Sequence, residues 1–110
     1  MATNSATTTP AVQDLANLLQ YQDGAVVSRV LMKNAGGNVT LFAFDAGEGL
    51  SEHTAPFDAL VTILDGDAEV EISKKPYRLT AGQTITMPAN EPHALRALKR
   101  FKMLLVMLRA

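Results

Sequence analysis

The stretch GQTITMPANEPH, residues 82–93, decides the fold of this chain. Its segment from Thr84 to Met87 is rich in β-branched residues and stops at Pro88, which predicts a short strand followed by a turn. Asn90 lies in this turn and is a residue that can adopt left-handed backbone geometry. His93 then begins another apolar run. The stretch therefore predicts two strands joined by a tight turn, with a histidine at the start of the second strand.

The rest of the chain carries similar short segments, in which apolar residues alternate with polar ones or run between turn residues. Gly66 can supply the positive φ of a tight hairpin, so Asp65-Gly66-Asp67 is predicted to be a turn. About eight strands with no helix between them predict an all-β barrel or sandwich. The predicted strands cover residues 25–32, 39–44, 58–64, 68–72, 77–79, 84–87, 93–98 and 101–108.

The N-terminal region has a different pattern. Residues 1–11 are polar and rich in Thr, which predicts a flexible tail whose loss leaves the melting temperature nearly unchanged. Residues 12–110 then form one domain, because a chain of 110 residues has no room for a second core. Apolar residues at helical spacing predict one short amphipathic helix from Val12 to Leu19 that packs against the barrel.

Histidine occurs only twice, and each histidine lies in a distinctive stretch. His53 lies within GLSEHTAPFDALVTILDG, residues 49–66, and His93 ends the stretch quoted above. On these two stretches the chain resembles the cupin superfamily. The resemblance implies a small single-domain cupin, with a double-stranded β-helix barrel of the jelly-roll kind and one pocket inside it.

The two cupin motifs are kept to different degrees. The second motif of the family is Gly, five residues, Pro-x-Gly, two residues and His, and Gly82, Pro88 and His93 keep this spacing. The first motif is Gly, then His-x-His, then Glu or Gln, and a closing Gly, of which His53 and Gly66 match. The other two ligand positions are substituted, so the first metal-binding motif is degenerate. These positions are Ala55 and Leu60, or Ala55 and Ala59 if the spacing is one residue shorter.

The pocket implied by this resemblance differs from that of a full cupin. In a full cupin, three histidines and the acidic residue hold a metal such as iron, manganese, nickel or zinc and leave positions open for substrate. Here apolar groups replace one imidazole and one negative charge. We expect a divalent metal to be held weakly or not at all by two histidines. The expected ligand pocket is lined by His53, Ala55, Leu60, Thr62 and His93.

Asp58 is a candidate third metal ligand. It shares strand parity with Leu60, so it points into the pocket if the strand has already begun, and it then completes a two-histidine, one-carboxylate set with His53 and His93. Pro56 lies just before it and favours a loop, where parity fails and Asp58 is a solvated carboxylate. The sequence leaves both interpretations open.

Two functions follow from these residues. The first is a module that binds a small, partly apolar molecule in the barrel pocket. The alternative is a metal-dependent cupin enzyme, such as a dioxygenase, isomerase or decarboxylase, that uses His53 and His93. The methionines are interpreted as core filler rather than ligands. Those considered are Met32, Met87, Met103 and Met107.

Composition excludes several other classes. The net charge is −1 and the basic residues are dispersed, so nucleic acid is not an expected partner. The absence of cysteine excludes disulfides and thiolate metal sites. No apolar run reaches the ~20 residues of a membrane helix, and residues 1–10 have neither the apolar block of a secretory signal nor the arginines of a transit peptide. We therefore expect a cytoplasmic protein without a membrane partner.

The last predicted strand indicates how the barrel is covered. Residues 101–108 are apolar on both faces apart from Lys102, whereas a strand buried on one side would alternate. Its second face is predicted to contact either the N-terminal helix or another subunit. We expect a homodimer that uses this strand or the first strand, residues 25–32.

Overall fold

The computed structural model describes residues 10–110, and the predicted all-β class is confirmed for them. The predicted tail at 1–11 lies outside the described residues except for Pro10 and Ala11. No helix within residues 10–110 is long and apolar enough to cross a membrane. The strands are β1 (Val26–Asn34), β2 (Gly37–Phe44), β3 (Gly49–His53), β4 (Phe57–Ile72), β5 (Lys75–Thr80), β6 (Thr84–Met87) and β7 (His93–Arg109).

Two long strands, β4 and β7, organise the barrel. They run antiparallel from the pair Phe57–Arg109 to the pair Ile72–His93, with register shifts near Gly66. The prediction of a hairpin turn at residues 65–67 was therefore wrong. Gly66 has a φ of +87°, but it lies in an irregularity within β4, where a Cβ atom would overlap the carbonyl oxygen of Arg100. Pairing with a distant strand has overridden a local turn signal.

The bends in β4 and β7 divide the hydrogen-bonded strands into two sheets. The first sheet consists, in order, of β1, β2, the C-terminal half of β7, the N-terminal half of β4, and β6. The second sheet is β3, the N-terminal half of β7, the C-terminal half of β4, and β5. The core lies between them and includes Phe44 stacked on Phe101, with ring centroids 4.4 Å apart. This is the expected cupin-type barrel.

The predicted helix from Val12 to Leu19 was wrong, because only a single 3-10 turn forms there, at Leu15–Asn17. Side chains of the barrel bind backbone carbonyls of this segment. The Lys102 ammonium donates to the carbonyl of Ala16 at 2.7 Å, and Arg29 donates to the carbonyl of Leu18 at 3.2 Å. The segment nevertheless contacts the barrel.

The outer face of the first sheet is covered only in part. Ala43 pairs with Lys102 and is buried on the side where the N-terminal segment lies. Farther along, a row of apolar side chains crosses four strands on the same face and ends in exposed groups. This outer apolar row comprises Met32, Val39, Val106 and Leu60.

Candidate functional site

The structure brings the two histidines together. His53 is the last residue of β3 and His93 is the first residue of β7, and the two are directly paired. Their Nε2 atoms are 3.1 Å apart, and the ring planes meet at 69°. The turn before His93 contributes, because Asn90 adopts a φ of +67° and its N–H donates to the carbonyl of Ala55 at 2.8 Å. The left-handed geometry predicted at Asn90 is thus confirmed.

Backbone carbonyls determine which ring nitrogens carry hydrogen. The Nδ1 atom of His53 lies 2.7 Å from the carbonyl oxygen of Ser51, and that of His93 lies 3.1 Å from the carbonyl oxygen of Glu91. A carbonyl oxygen only accepts, so both Nδ1 atoms must donate. In neutral rings both Nε2 atoms then carry a lone pair instead of a hydrogen, and the two lone pairs face each other. Such a contact is stable only with a shared proton or another electrophile between the rings.

The two rings differ in exposure. His53 is exposed, whereas His93 is 8 % exposed. Burial lowers the pKa of the His93 imidazole, the nearby His53 ring acts in the same direction, and the hydrogen bond to the Glu91 carbonyl acts in the opposite one. A proton is therefore held less readily at His93 than at a solvated histidine.

Both rings line a cavity of about 50 Å³ between the two sheets. The second sheet contributes the histidines and Leu95, and Ala55 also lies in the wall. The first sheet contributes Ala59 together with methionines and other apolar residues. Most of its lining is apolar, and His53 is the exposed residue among those that line it.

Ala59 occupies the centre of the wall opposite the histidines. It pairs with Met87 of β6 on one side and with Met107 of β7 on the other. All three residues line the cavity, and Met103 lies nearby as a fully buried residue of the same wall. Interpreting these methionines only as filler missed this arrangement. It depends on strand register, and nothing in the sequence aligns Met87 with Met107.

Two of the five expected pocket residues do not line the cavity. Leu60 is 40 % exposed and belongs to the outer apolar row, and the Thr62 hydroxyl contacts the Thr84 hydroxyl at 3.2 Å in an exposed position. Strand alternation buries Ala59, Val61 and the residues in phase with them instead. Of the two candidate positions, Ala59 therefore faces the cavity and Leu60 faces outward.

Asp58 is not a third ligand. The strand has already begun at Phe57, so parity does hold, but it places Asp58 on the outer face with Leu60. Its Oδ1 atom accepts the N–H of Ala89 at 2.9 Å and so fastens the loop before His93. Within residues 10–110 no three His, Cys, Asp or Glu side chains converge on a common point that could hold a metal.

The donor set does not fit the divalent metal that the family resemblance implies. The cavity wall has two imidazoles, and Ala55 and Ala59 in the same wall present only methyl groups. Tetrahedral sites for zinc generally use at least three protein ligands, and a buried divalent charge without a carboxylate is costly.

A larger open groove of about 450 Å³ lies on the outer face of the second sheet. Its charged residues include Arg96 and Glu69, which pair with each other at 3.1 Å. None of the residues predicted for the site lines this groove, whose third charged residue is Glu71. The smaller cavity with its facing imidazoles is therefore the candidate site.

Comparisons with known proteins agree with this architecture. The family model described as Cupin domain matches residues 40–107. A conserved protein of unknown function from Streptococcus pyogenes is 40 % identical, with 93 % of this chain and 90 % of that chain covered and a TM-score of 0.88. A Cupin 2 conserved barrel domain protein from Leptotrichia buccalis is 39 % identical over 86 % of this chain and 46 % of that chain, with a TM-score of 0.83.

A cupin superfamily protein from Desulfitobacterium hafniense is 29 % identical, with 93 % of this chain and 94 % of that chain covered and a TM-score of 0.87. No curated protein matches the chain.

Proposed function

This chain belongs to the cupin domain family, and from that premise we propose that its barrel binds a small, partly apolar molecule where the cavity reaches solvent beside His53 and His93. One observation carries the proposal: two Nε2 lone pairs, one exposed and one buried, converge at the edge of an apolar cavity. Apolar walls with a few converging polar groups are typical of small-molecule sites.

The cavity restricts the size of the ligand group that enters it. Its volume of about 50 Å³ is far below the ~300–1,000 Å³ of sites that enclose a drug-sized molecule. A ligand therefore inserts a group of a few heavy atoms, and its remainder lies at the mouth beside His53.

The imidazoles restrict the chemistry of that group. Since both Nδ1 atoms donate to carbonyls, the Nε2 atoms accept, and the ligand must bring an O–H or N–H donor. Small alcohols, phenols and amines meet this requirement. An ether of the same shape does not, because it would leave the facing lone pairs unsatisfied.

The metal-dependent enzyme is less well supported. A dioxygenase, isomerase or decarboxylase of the cupin kind would need a metal, and Ala55, Ala59 and the outward Asp58 supply no ligand beyond the two histidines. Binding without metal chemistry uses the groups that are present.

The test is a titration of the metal-free protein with small organic fragments. Binding is monitored through the side-chain ¹⁵N resonances of the two histidines. Phenol should shift both Nε2 resonances, and anisole, its methyl ether, should not. His93→Ala should abolish the response, and Thr62→Val, which alters a side chain outside the barrel, should keep it. Binding that survives in His93→Ala, or equal binding of phenol and anisole, would refute the proposal.

A further inference from the structure

We propose that the ligand of this cavity is an uncharged phenol, and that Phe57, with the Arg109 guanidinium over its ring, selects it over alkyl alcohols and ammonium ions. This selection acts on the binding proposed above, which admits small alcohols, phenols and amines, and it therefore rests on that proposed function. Binding beside the histidines can hold while the selection among these classes fails.

A row of alternate residues leads from the surface into the cavity. The residues that line it in this row are His53, Ala55, Phe57 and Ala59. Every second side chain of an extended segment faces the same side, which explains why these residues share the cavity. Exposure decreases along the row, from the exposed first residue through two half-buried ones to the buried Ala59. Phe57 therefore lies at the rim of the cavity.

Hydrogen bonds hold the connection between β3 and β4 that forms this rim. The N–H of Asn90 donates to the carbonyl of Ala55 at 2.8 Å, and the N–H of Ala110 donates to the carbonyl of Pro56 at 3.3 Å. Ala55 presents only a methyl group, over which a planar ligand ring can lie. A ligand that donates to an Nε2 atom then meets the aromatic side chain of Phe57 at the rim.

Phe57 supplies the aromatic part of the lining. Apart from the two imidazoles, it is the only aromatic ring that lines the cavity within residues 10–110. The other three phenylalanines stack on one another, Phe42 on Phe44 and Phe44 on Phe101. Contact between aromatic rings is favourable beyond the area that it buries, by roughly fivefold in an equilibrium constant. A phenol should therefore bind more tightly than an alkyl alcohol of the same size.

The charge beside Phe57 is positive. The guanidinium carbon of Arg109 lies 5.4 Å from the centroid of the Phe57 ring, and Arg109 is not among the residues that line the cavity. Its Nε donates to the carbonyl of Ala35 at 3.0 Å, and no carboxylate within residues 10–110 forms an ion pair with it. One cation thus already engages the ring, and it would repel a ligand ammonium brought to the same ring.

An anionic ligand is disfavoured by the histidines. Both Nε2 atoms present lone pairs, and every other residue that lines the cavity is uncharged. An oxygen anion would meet two acceptors and no donor there, and the burial of an unpaired charge is costly. An uncharged phenol combines the required hydroxyl donor with an aromatic ring and brings no charge.

The experiment measures the affinities of four probes for the full metal-free chain at neutral pH, through the side-chain ¹⁵N resonances of the histidines. Phenol should bind roughly fivefold more tightly than cyclohexanol, which has a hydroxyl and a six-membered ring but no π system. Benzyl alcohol should bind on the order of tenfold more tightly than benzylamine, which is a cation at this pH. Equal affinities within either pair would overturn the selection and leave the proposed function in place. No shift with any probe would refute both.

Variants separate selection from packing. Phe57→Leu keeps an apolar rim and should remove the preference for phenol over cyclohexanol. Arg109→Met keeps an unbranched stem without the charge and should reduce the ratio between benzyl alcohol and benzylamine roughly threefold. The matched control Arg96→Met, on the outer face of the second sheet, should leave both ratios unchanged. If Phe57→Leu does not fold, the Arg109 variant still decides. An unchanged ratio in either variant would show that the altered residue does not select the ligand.

Discussion

The two sheets present opposite chemistry on both of their faces. On the inside, the second sheet offers imidazoles oriented by backbone carbonyls, and the first sheet offers a methyl group and flexible thioethers. On the outside, the second sheet carries charged pairs such as Arg96–Glu69, and the first sheet carries the outer apolar row. One inner wall therefore has directional hydrogen-bonding groups, and the other has soft, adaptable groups.

The largest expected effect comes from placing metal-binding side chains on both inner walls of the barrel. Ala55→His with Ala59→Glu should restore the four ligands of a full cupin and raise the affinity for Zn(II) or Ni(II) about a hundredfold, or about 2.8 kcal/mol, as measured by calorimetry. The matched control is Ala55→His with Leu60→Glu, whose carboxylate lies outside. An equal gain in the control would show that the inner and outer faces of β4 are assigned incorrectly.

In metal-free protein, the two histidines should contribute differently to the free energy of unfolding, which is a smaller effect. His93 is buried at the start of the long strand β7, so His93→Ala should lower the free energy of unfolding by about 1–3 kcal/mol, through lost packing and an unpaired Glu91 carbonyl. His53→Ala, at the exposed end of β3, should change it by less than about 0.5 kcal/mol. Urea denaturation measures both. Equal losses would mean that the two rings stabilise the fold as one unit.

The outer faces give the next prediction. We propose a homodimer that buries the outer apolar row of the first sheet, because this row is the uncovered apolar part of that face. Light scattering should report about twice the 11.8 kDa of one chain. Leu60→Lys should weaken the dimer at least tenfold, about 1.4 kcal/mol. A monomer at micromolar concentration, or a dimer insensitive to this change, would point to another surface or to none.

The smallest effect is expected on the charged outer face of the second sheet. Glu69→Gln removes the exposed ion pair with Arg96 and should alter the free energy of unfolding by no more than about 0.5 kcal/mol. Its effect on phenol binding should be undetectable, since the pair lies outside the barrel. A clear loss of phenol binding would indicate that the functional site is the outer groove.

The strands and the second motif could be predicted because their causes are local. Alternation of side chains indicated the β class, and the spacing from Gly82 to His93 indicated where the buried histidine begins its strand. The helix from Val12 to Leu19 and the turn at Gly66 could not be predicted correctly by the same means. Distant groups contact both places: Lys102 and Arg29 bind carbonyls of the N-terminal segment, and β7 pairs with β4 across Gly66.

The sequence by itself determined that this is a small cupin barrel and which two segments carry its histidines. Only the tertiary structure decided that Ala59 rather than Leu60 faces the cavity, that Asp58 faces outward, and that Met87 and Met107 flank Ala59. The physical reason is register. A shift of one residue exchanges the two faces of a strand, and only pairing with distant strands sets that shift.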